Sequence, residues 1–93
     1  MVSKTVTIKN ATGLHLRPAG LFCKTAMMFD SNIHVEKIIE SDRMQSFSNA
    51  KSVLSILGAC IKHGDSIIIS CEGHDEVEAL EAMVKIVEDG LGE

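Results

Sequence analysis

Hydrophobic and polar residues alternate along the chain with two different periods, and these periods predict four strands and three helices. Strands are predicted where apolar residues recur at every second position. Val6 and Ile8 mark the apolar side of the first strand in this way, and the clearest predicted strand is SIIISC from Ser66 to Cys71, a short and nearly continuous apolar run. The predicted strands are residues 2–8, 33–39, 44–49 and 66–71.

Apolar residues spaced three and four apart predict helices over residues 19–29, over residues 52–61, and from Asp75 to Gly90 or Gly92. Pro18 marks the start of the first helix, because its fixed φ suits a first turn and its missing N–H has no helical partner there. Asp75 and Glu78 have the spacing of a capping box. The last helix carries one apolar stripe, formed by Val77, Leu80, Val84, Val87 and Leu91.

The predicted element order is β-α-β-β-α-β-α, and it indicates an α+β fold. A link of hairpin length, around residues 40–43, joins the second and third strands. The order therefore favours a four-stranded, mostly antiparallel sheet with three helices on one face. A chain of 93 residues is expected to form one domain, 1–93, with one modest core.

Composition and charge exclude several classes of function. The net charge is −4 and the lysines are scattered, whereas nucleic-acid binding needs a concentrated basic face. The N-terminal residues have no apolar leader segment, and no apolar run is long enough to span a membrane. We expect a cytoplasmic protein with no membrane insertion. With three Phe and no Trp or Tyr, the core must be aliphatic.

The cysteines and three of the histidines predict no metal site. Cys23, Cys60 and Cys71 are odd in number and have no paired-ligand spacing, so we interpret them as small core residues. His34, His63 and His74 do not pair with another ligand at helical spacing, and no functional role is predicted for them. No cofactor is expected.

The candidate chemistry lies around His15, which stands three residues before the only proline and two before Arg17. A histidine just upstream of a helix meets unpaired backbone N–H groups and the positive end of the helix dipole. A neutral imidazole suits that position and keeps a nucleophilic ring nitrogen. With Arg17 nearby, this short loop can receive a phosphoryl group and hold its charge. A P–N bond is easily passed on, which favours a carrier over an end product.

These residues resemble HPr, the histidine-containing phosphocarrier family of the bacterial phosphoenolpyruvate-dependent sugar phosphotransferase system. The resemblance covers essentially the whole chain and rests on three motifs. They are GLHLRPA at residues 13–19, NAKS at 49–52, and GD at 64–65 leading into IIISCEG at 67–73. The resemblance implies an open-faced β-sandwich that is a covalent carrier and not an enzyme in the ordinary sense.

The resemblance also assigns roles to residues. His15 would accept a phosphoryl group from phosphoenolpyruvate by way of enzyme I and donate it to a histidine of a sugar-specific enzyme IIA. Arg17 would stabilise the phosphoryl group. The partner-binding surface would include Thr12, Pro18, Gly20 and Lys24. A monomer is the expected state for such transient docking.

Ser52 is a second candidate site. A serine at a helix start is most often an N-cap. In the Gram-positive HPr proteins, however, the matching serine is phosphorylated by an ATP-dependent HPr kinase/phosphorylase. A phosphate there would add about two negative charges to the docking surface. The resemblance then implies weaker phosphotransfer from enzyme I and docking to a catabolite-control transcription factor.

The short helix after Ser52 has more apolar residues than one core-facing stripe requires. We predict that Val53, Leu54 and Leu57 are exposed and belong to the docking surface. The alternative is that all the apolar residues of this helix are buried. The chain departs from the family pattern at residues 36–48, which are longer than the expected hairpin, and at Gly20, where a small side chain is expected.

Three alternatives to a sugar-uptake carrier are left open. One is a regulatory HPr-like protein that acts through Ser52 on a transcription factor, and the second is a nitrogen-type phosphotransferase carrier with regulatory partners. The third is a small α/β binding module in which the histidine is incidental. A purely regulatory paralogue is expected to lack the histidine, so the presence of His15 beside Arg17 favours the carrier.

Overall fold

The computed structural model describes residues 1–38 and 46–92, and it confirms the predicted order of strands and helices. The strands are β1 (Val2–Thr7), β2 (Asn32–Lys37), β3 (Ser46–Asn49) and β4 (Ser66–Glu72). The helices are α1 (Leu16–Ala26), α2 (Val53–Gly58) and α3 (Glu76–Glu88). The predicted hairpin link and the extension of the second strand to Ile39 lie outside the described residues.

The four strands form one antiparallel sheet in the order β1-β4-β2-β3, with the three helices on one face. β4 lies between β1 and β2, so its backbone is hydrogen-bonded on both sides. The register places Ile67 opposite Val6 and places Ile69 opposite Val35. Apolar residues of neighbouring strands therefore lie side by side on the face that the helices cover.

The core fills the space between that sheet face and the helices. Strand residues in it are Val6, Ile33, Val35, Ile67, Ile69 and Cys71. Helix residues in it are Ala19, Phe22, Cys23, Ala26, Ile56, Ala79, Met83, Val84 and Val87. Among the residues whose burial is described, Phe22 is the only aromatic ring in the set of largest fully buried side chains, which agrees with the expectation of an aliphatic core. In the described part of the chain, no helix is long and apolar enough to cross a membrane.

The first helix begins earlier than the sequence predicted. His15 is the N-cap residue of α1, and Pro18 is the third helical residue instead of the first. A proline is tolerated there because no N–H in the first turn has an intrahelical acceptor. The helix also ends at Ala26, with Met27 as its C-cap, so the predicted extension to Phe29 was wrong.

The predicted capping box at the start of α3 is not formed. Asp75 is the N-cap residue, but its carboxylate makes no side-chain cap bond. The carboxylate instead accepts hydrogen bonds from the backbone N–H groups of Asp30 at 2.9 Å and Ser31 at 3.0 Å. The hydroxyl of Ser31 also hydrogen-bonds to this carboxylate. Asp75 therefore joins the α1–β2 turn to the β4–α3 turn, a tertiary use that sequence spacing does not reveal.

The buried face of α3 differs in part from the predicted stripe. Val77 is 52% exposed and Leu80 is half-buried, whereas Val84, Val87 and Leu91 are buried as predicted. Ala79 and Met83 are the residues that fill the core nearer the start of the helix. Positions 77 and 79 lie about 200° apart around a helix, so a helix that buries Ala79 directs Val77 toward solvent.

Cys60 is exposed, so the interpretation of all three cysteines as core residues was wrong for this one. α2 ends at Gly58, earlier than the predicted Ile61, and Cys60 follows its C-cap with φ +54°. This left-handed residue reverses the chain at the helix end, and it turns the thiol away from the core. Cys23 and Cys71 are buried, and burial raises the pKa of both thiols, that of Cys71 to about 11.

We expect the Asp75 contacts to make the stability of the fold fall at low pH. The Ser31 hydroxyl and the backbone N–H of Asp30 lower the pKa of Asp75 to about 2 from 3.8. A carboxylate with a lowered pKa stabilises the fold above its ordinary pKa, and this contribution is lost as the pH falls through about 2. Asp75→Asn should lower the melting temperature at pH 7 and flatten its dependence on pH between 4 and 2. Circular dichroism melts over that range test this.

The control for this experiment is Asp89→Asn, which removes an exposed carboxylate at the other end of α3. It should keep the pH dependence of the wild-type protein. Parallel curves for wild type and Asp75→Asn below pH 4 would show that the contacts of Asp75 do not contribute to stability.

Candidate functional site

The loop between β1 and α1 is held against the segment that follows α2. The backbone N–H of Leu14 donates to the carbonyl of Ile61 at 3.0 Å, and the Leu14 side chain is buried in the core. The amide nitrogen Nδ2 of Asn10 donates to the Gly13 carbonyl at 2.6 Å, which closes the loop on itself. These contacts fix the residue that immediately precedes His15.

Gly13 is required for this close approach. Its φ is +65°, and a Cβ at this position would lie 2.6 Å from the carbonyl oxygen of Ile61 and 2.7 Å from the Cα of Lys62. Both neighbours are backbone atoms, so they cannot move aside as a flexible side chain could. A larger residue here would displace the loop that holds His15.

His15 is the N-cap residue of α1. The sequence analysis placed it just upstream of a helix start, which agrees with this position. Its backbone is extended (φ −81°, ψ −173°), its side chain makes no cap bond, and the residue is exposed. The backbone N–H of Ala19 donates to the His15 carbonyl at 2.7 Å. The N–H groups of Leu16 and Arg17 belong to the first turn and have no intrahelical acceptor. An anion bound to the imidazole would therefore meet helix N–H donors and the positive end of the dipole.

The predicted partner-binding residues of α1 divide between an exposed face and the core. Arg17 and Lys24 are exposed, and Gly20 is half-buried with no atom within 4 Å of a Cβ built on it. Pro18 is buried, so it positions the first turn and presents no surface. Spacings of three and four residues place Arg17, Gly20 and Lys24 on one side of the helix. Arg17 thus brings a cation to the same end of α1 as His15.

Thr12 lies in the loop ahead of His15. It is exposed, and its hydroxyl lies 3.4 Å from the side-chain nitrogen of Asn10. Its exposure leaves it available for the predicted partner-binding surface, and the contact with Asn10 helps to close the loop.

Ser52 is the N-cap residue of α2, as its usual structural role predicts. Its hydroxyl oxygen accepts a hydrogen bond from the backbone N–H of Ser55 at 3.2 Å. The preceding residue, Lys51, extends its ammonium group to the carbonyl of Phe29 at 2.7 Å. This contact places the start of α2 beside the turn that follows α1, whereas the segment after α2 contacts the loop before His15.

The predicted exposure of the apolar residues on α2 is confirmed only in part. Leu54 is 83% exposed and Val53 is 36% exposed, which rules out the alternative that every apolar residue of α2 is buried. Leu57 is half-buried and packs against the core, so its prediction as an exposed residue was wrong. α2 has only six residues. Leu57 lies one turn after Val53 and next to the buried Ile56, where its side chain contacts the core.

Sequence reasoning missed Leu16, which is 65% exposed immediately after His15. No signal for it was present in the sequence, because the predicted helix start at Pro18 left Leu16 in the preceding loop. Leu16 on α1, and Val53 with Leu54 on α2, give both packed helices exposed apolar side chains. Such residues beside a polar site indicate a docking surface.

Comparison with known proteins identifies the family. The family model described as "PTS HPr component phosphorylation site" matches residues 2–89. The chain belongs to the HPr family. It is 40% identical over 88 residues to the HPr-like protein Crh of Halalkalibacterium halodurans, with 95% of this chain and 98% of that protein covered. It is 34% identical to the phosphocarrier protein HPr of Treponema pallidum, with 100% and 99% covered.

The fold agrees with that family as well. The crystal structure of HPr-C-His from Thermoanaerobacter tengcongensis superimposes with a TM-score of 0.87 at 41% identity. It covers 100% of this chain and 98% of that one. The chain is therefore an HPr-family phosphocarrier with the open-faced β-sandwich that its motifs predicted.

The glycines of this site provide a matched test of its geometry. Gly13→Ala should destabilise the protein by at least about 1–2 kcal/mol, because the alanine would occupy left-handed space and contact backbone atoms. Gly20→Ala should stabilise it by about 0.5–1 kcal/mol, because the site is helical and open. Urea unfolding followed by circular dichroism measures both changes. Equal stability of the two variants would contradict the close approach at Gly13.

Proposed function

We propose that this HPr-family protein carries phosphoryl groups in sugar uptake, from enzyme I to enzyme IIA components, on His15. The observation that carries the proposal is the position of an exposed His15 at the N-cap of an 11-residue helix, two residues before Arg17. A lone pair of the imidazole forms a new N–P bond while the bond from phosphorus to the donor group breaks. The reverse exchange then delivers the phosphoryl group to the acceptor.

The local electrostatics support rapid transfer in both directions. The first-turn N–H groups and the Arg17 guanidinium can compensate the added negative charge without enclosing it, since His15 and Arg17 are both exposed. An open site allows one partner to leave and another to dock on the same face. A buried site would hold the phosphoryl group too well to serve as a relay.

We further propose that Ser52 is a regulatory phosphorylation site for an ATP-dependent HPr kinase/phosphorylase. The Ser52 hydroxyl is half-buried and accepts one hydrogen bond from Ser55, and it lies near the exposed Leu54. A phosphate at this position would place about two negative charges next to an apolar contact residue. Charge at that point opposes docking of a partner whose surface is complementary to the unmodified patch.

A second candidate is the regulatory role suggested by relatives named Crh, in Halalkalibacterium halodurans and at 33% identity in Bacillus subtilis. In that case the chain would act through phosphorylated Ser52 on a catabolite-control transcription factor. The exposed His15 with Arg17 favours the carrier, because a purely regulatory protein has no use for a nucleophile at this helix N-terminus.

The deciding experiment incubates the protein with phosphoenolpyruvate and enzyme I and measures intact mass before and after acid. Wild type should gain one phosphoryl group that acid removes, because a P–N bond is acid-labile. His15→Ala should gain none. In a parallel reaction with ATP and HPr kinase, wild type should gain an acid-stable phosphate.

The matched variant for the serine is Ser52→Asn, which removes the hydroxyl but keeps an oxygen that can cap α2. It should lose the acid-stable phosphate and keep transfer through His15. If wild type gains only the acid-stable phosphate, the regulatory role replaces the carrier role.

Leu54→Ala tests the docking surface. Truncating an exposed apolar contact at an interface is expected to cost about 1 kcal/mol or more, which raises the KM of enzyme I for this substrate by roughly fivefold or more. Val77→Ala is the control, since Val77 is also exposed but lies on α3. Steady-state phosphorylation kinetics should show an unchanged KM for Val77→Ala. Equal effects of the two variants would exclude a specific patch on α2.

A further inference from the structure

A second group of chemically active side chains lies away from His15. Asp30, His74 and Asp75 each offer one ligand atom, and these three atoms all lie within 4.8 Å of one another. The sequence gave no indication of this group, because Asp30 is separated from His74 by 44 positions. Asp30 follows α1, and the other two residues precede α3.

The two turns that supply these residues are fixed to each other. The Asp75 carboxylate accepts hydrogen bonds from the backbone N–H groups of Asp30 and Ser31. Gly73 approaches Ser31 so closely that a Cβ on it would lie 2.8 Å from the Ser31 Cα. The backbone atoms that carry the three ligands therefore have a defined arrangement before any ion binds.

The distance between two of the ligand atoms suits a shared metal ion. Nε2 of His74 lies 2.9 Å from Oδ2 of Asp30. Two ligands at about 2.1 Å from one tetrahedral ion are about 3.4 Å apart, roughly half an ångström more than this contact. An ion can therefore replace the proton between these atoms with little movement of either side chain. Asp30 and His74 are also exposed, by 83% and 75% for the side chains, which leaves room for water ligands.

We propose that Asp30, His74 and Asp75 form a binding site for a divalent transition-metal ion, with Zn²⁺ as the representative ion. One imidazole nitrogen with two carboxylate oxygens is a ligand set that such ions accept, and the nitrogen disfavours Mg²⁺ and Ca²⁺, which prefer oxygen. The two carboxylates also supply the negative charge that a dication needs. The bound ion would join the α1–β2 turn to the β4–α3 turn.

This site is separate from the phosphoryl site. His15 precedes α1 and Asp30 follows it, and the 11 residues of α1 span about 16 Å at 1.5 Å per residue. An ion bound there would stabilise the folded protein without occupying the surface around His15. The proposal therefore stands or falls independently of the carrier function.

The test is a calorimetric titration of tag-free protein with ZnCl₂, in a Cys60→Ser background because the exposed Cys60 thiol could itself bind zinc. One ion should bind per chain. In ¹⁵N spectra the largest shifts should lie at residues 30, 31 and 73–75. MgCl₂ should give no comparable binding.

Asp30→Asn and His74→Gln should each weaken zinc binding at least tenfold, and both side chains are exposed enough for the fold to tolerate the change. His63→Gln is the matched control, an exposed histidine in another turn, and it should leave the affinity unchanged. Circular dichroism checks that each variant is folded. Unchanged affinity in His74→Gln, spectral shifts centred on residue 15, or no binding at all would each overturn the proposal.

Discussion

The close approach of Gly13 and Leu14 to the backbone of Ile61 is the constraint on which the functional end of the molecule depends. This contact brings the loop after β1 against the segment after α2, and the buried Leu14 side chain holds it there. The next residue, His15, is then the first that can face solvent. Its exposure at the helix N-terminus follows from a backbone contact that excludes a Cβ, and not from any interaction of the imidazole itself.

The two helix starts that carry the candidate sites lie at different ends of the packed pair α1 and α2, because Lys51 contacts Phe29 after α1 whereas Leu14 contacts Ile61 after α2. His15 is the N-cap residue of α1 and Ser52 is the N-cap residue of α2, and the two helices pack against each other. The serine uses its hydroxyl to cap its helix, whereas the histidine makes no cap bond and keeps its ring available. Each helix start has an exposed leucine close to it in the chain, Leu16 after His15 and Leu54 after Ser52.

The opposite end of α1 is organised by Asp75. A carboxylate at a helix start would ordinarily cap its own helix, but here it binds the backbone of the preceding turn between α1 and β2. Those N–H groups lie within reach because Gly73 allows the two turns to touch. The contact leaves His74 next to Asp30, so the cluster is a consequence of how the turns are joined.

The sequence by itself determined the order of the elements, the inward side of the strands, and the position of the candidate nucleophile, because all three depend on local periodicity or on one contiguous motif. It misplaced the start of α1 at Pro18 and the buried face of α3 at Val77, since propensity tolerates several registers and only packing against the sheet selects one. The exposure of Leu57 and Cys60 could not be predicted from the sequence either. The side of a short helix, or of the turn after it, that faces the core is set by the elements packed around it. The tertiary structure alone decided which distant residues meet, as Asp30 meets His74, because sequence spacing carries no information on contacts between turns 44 residues apart.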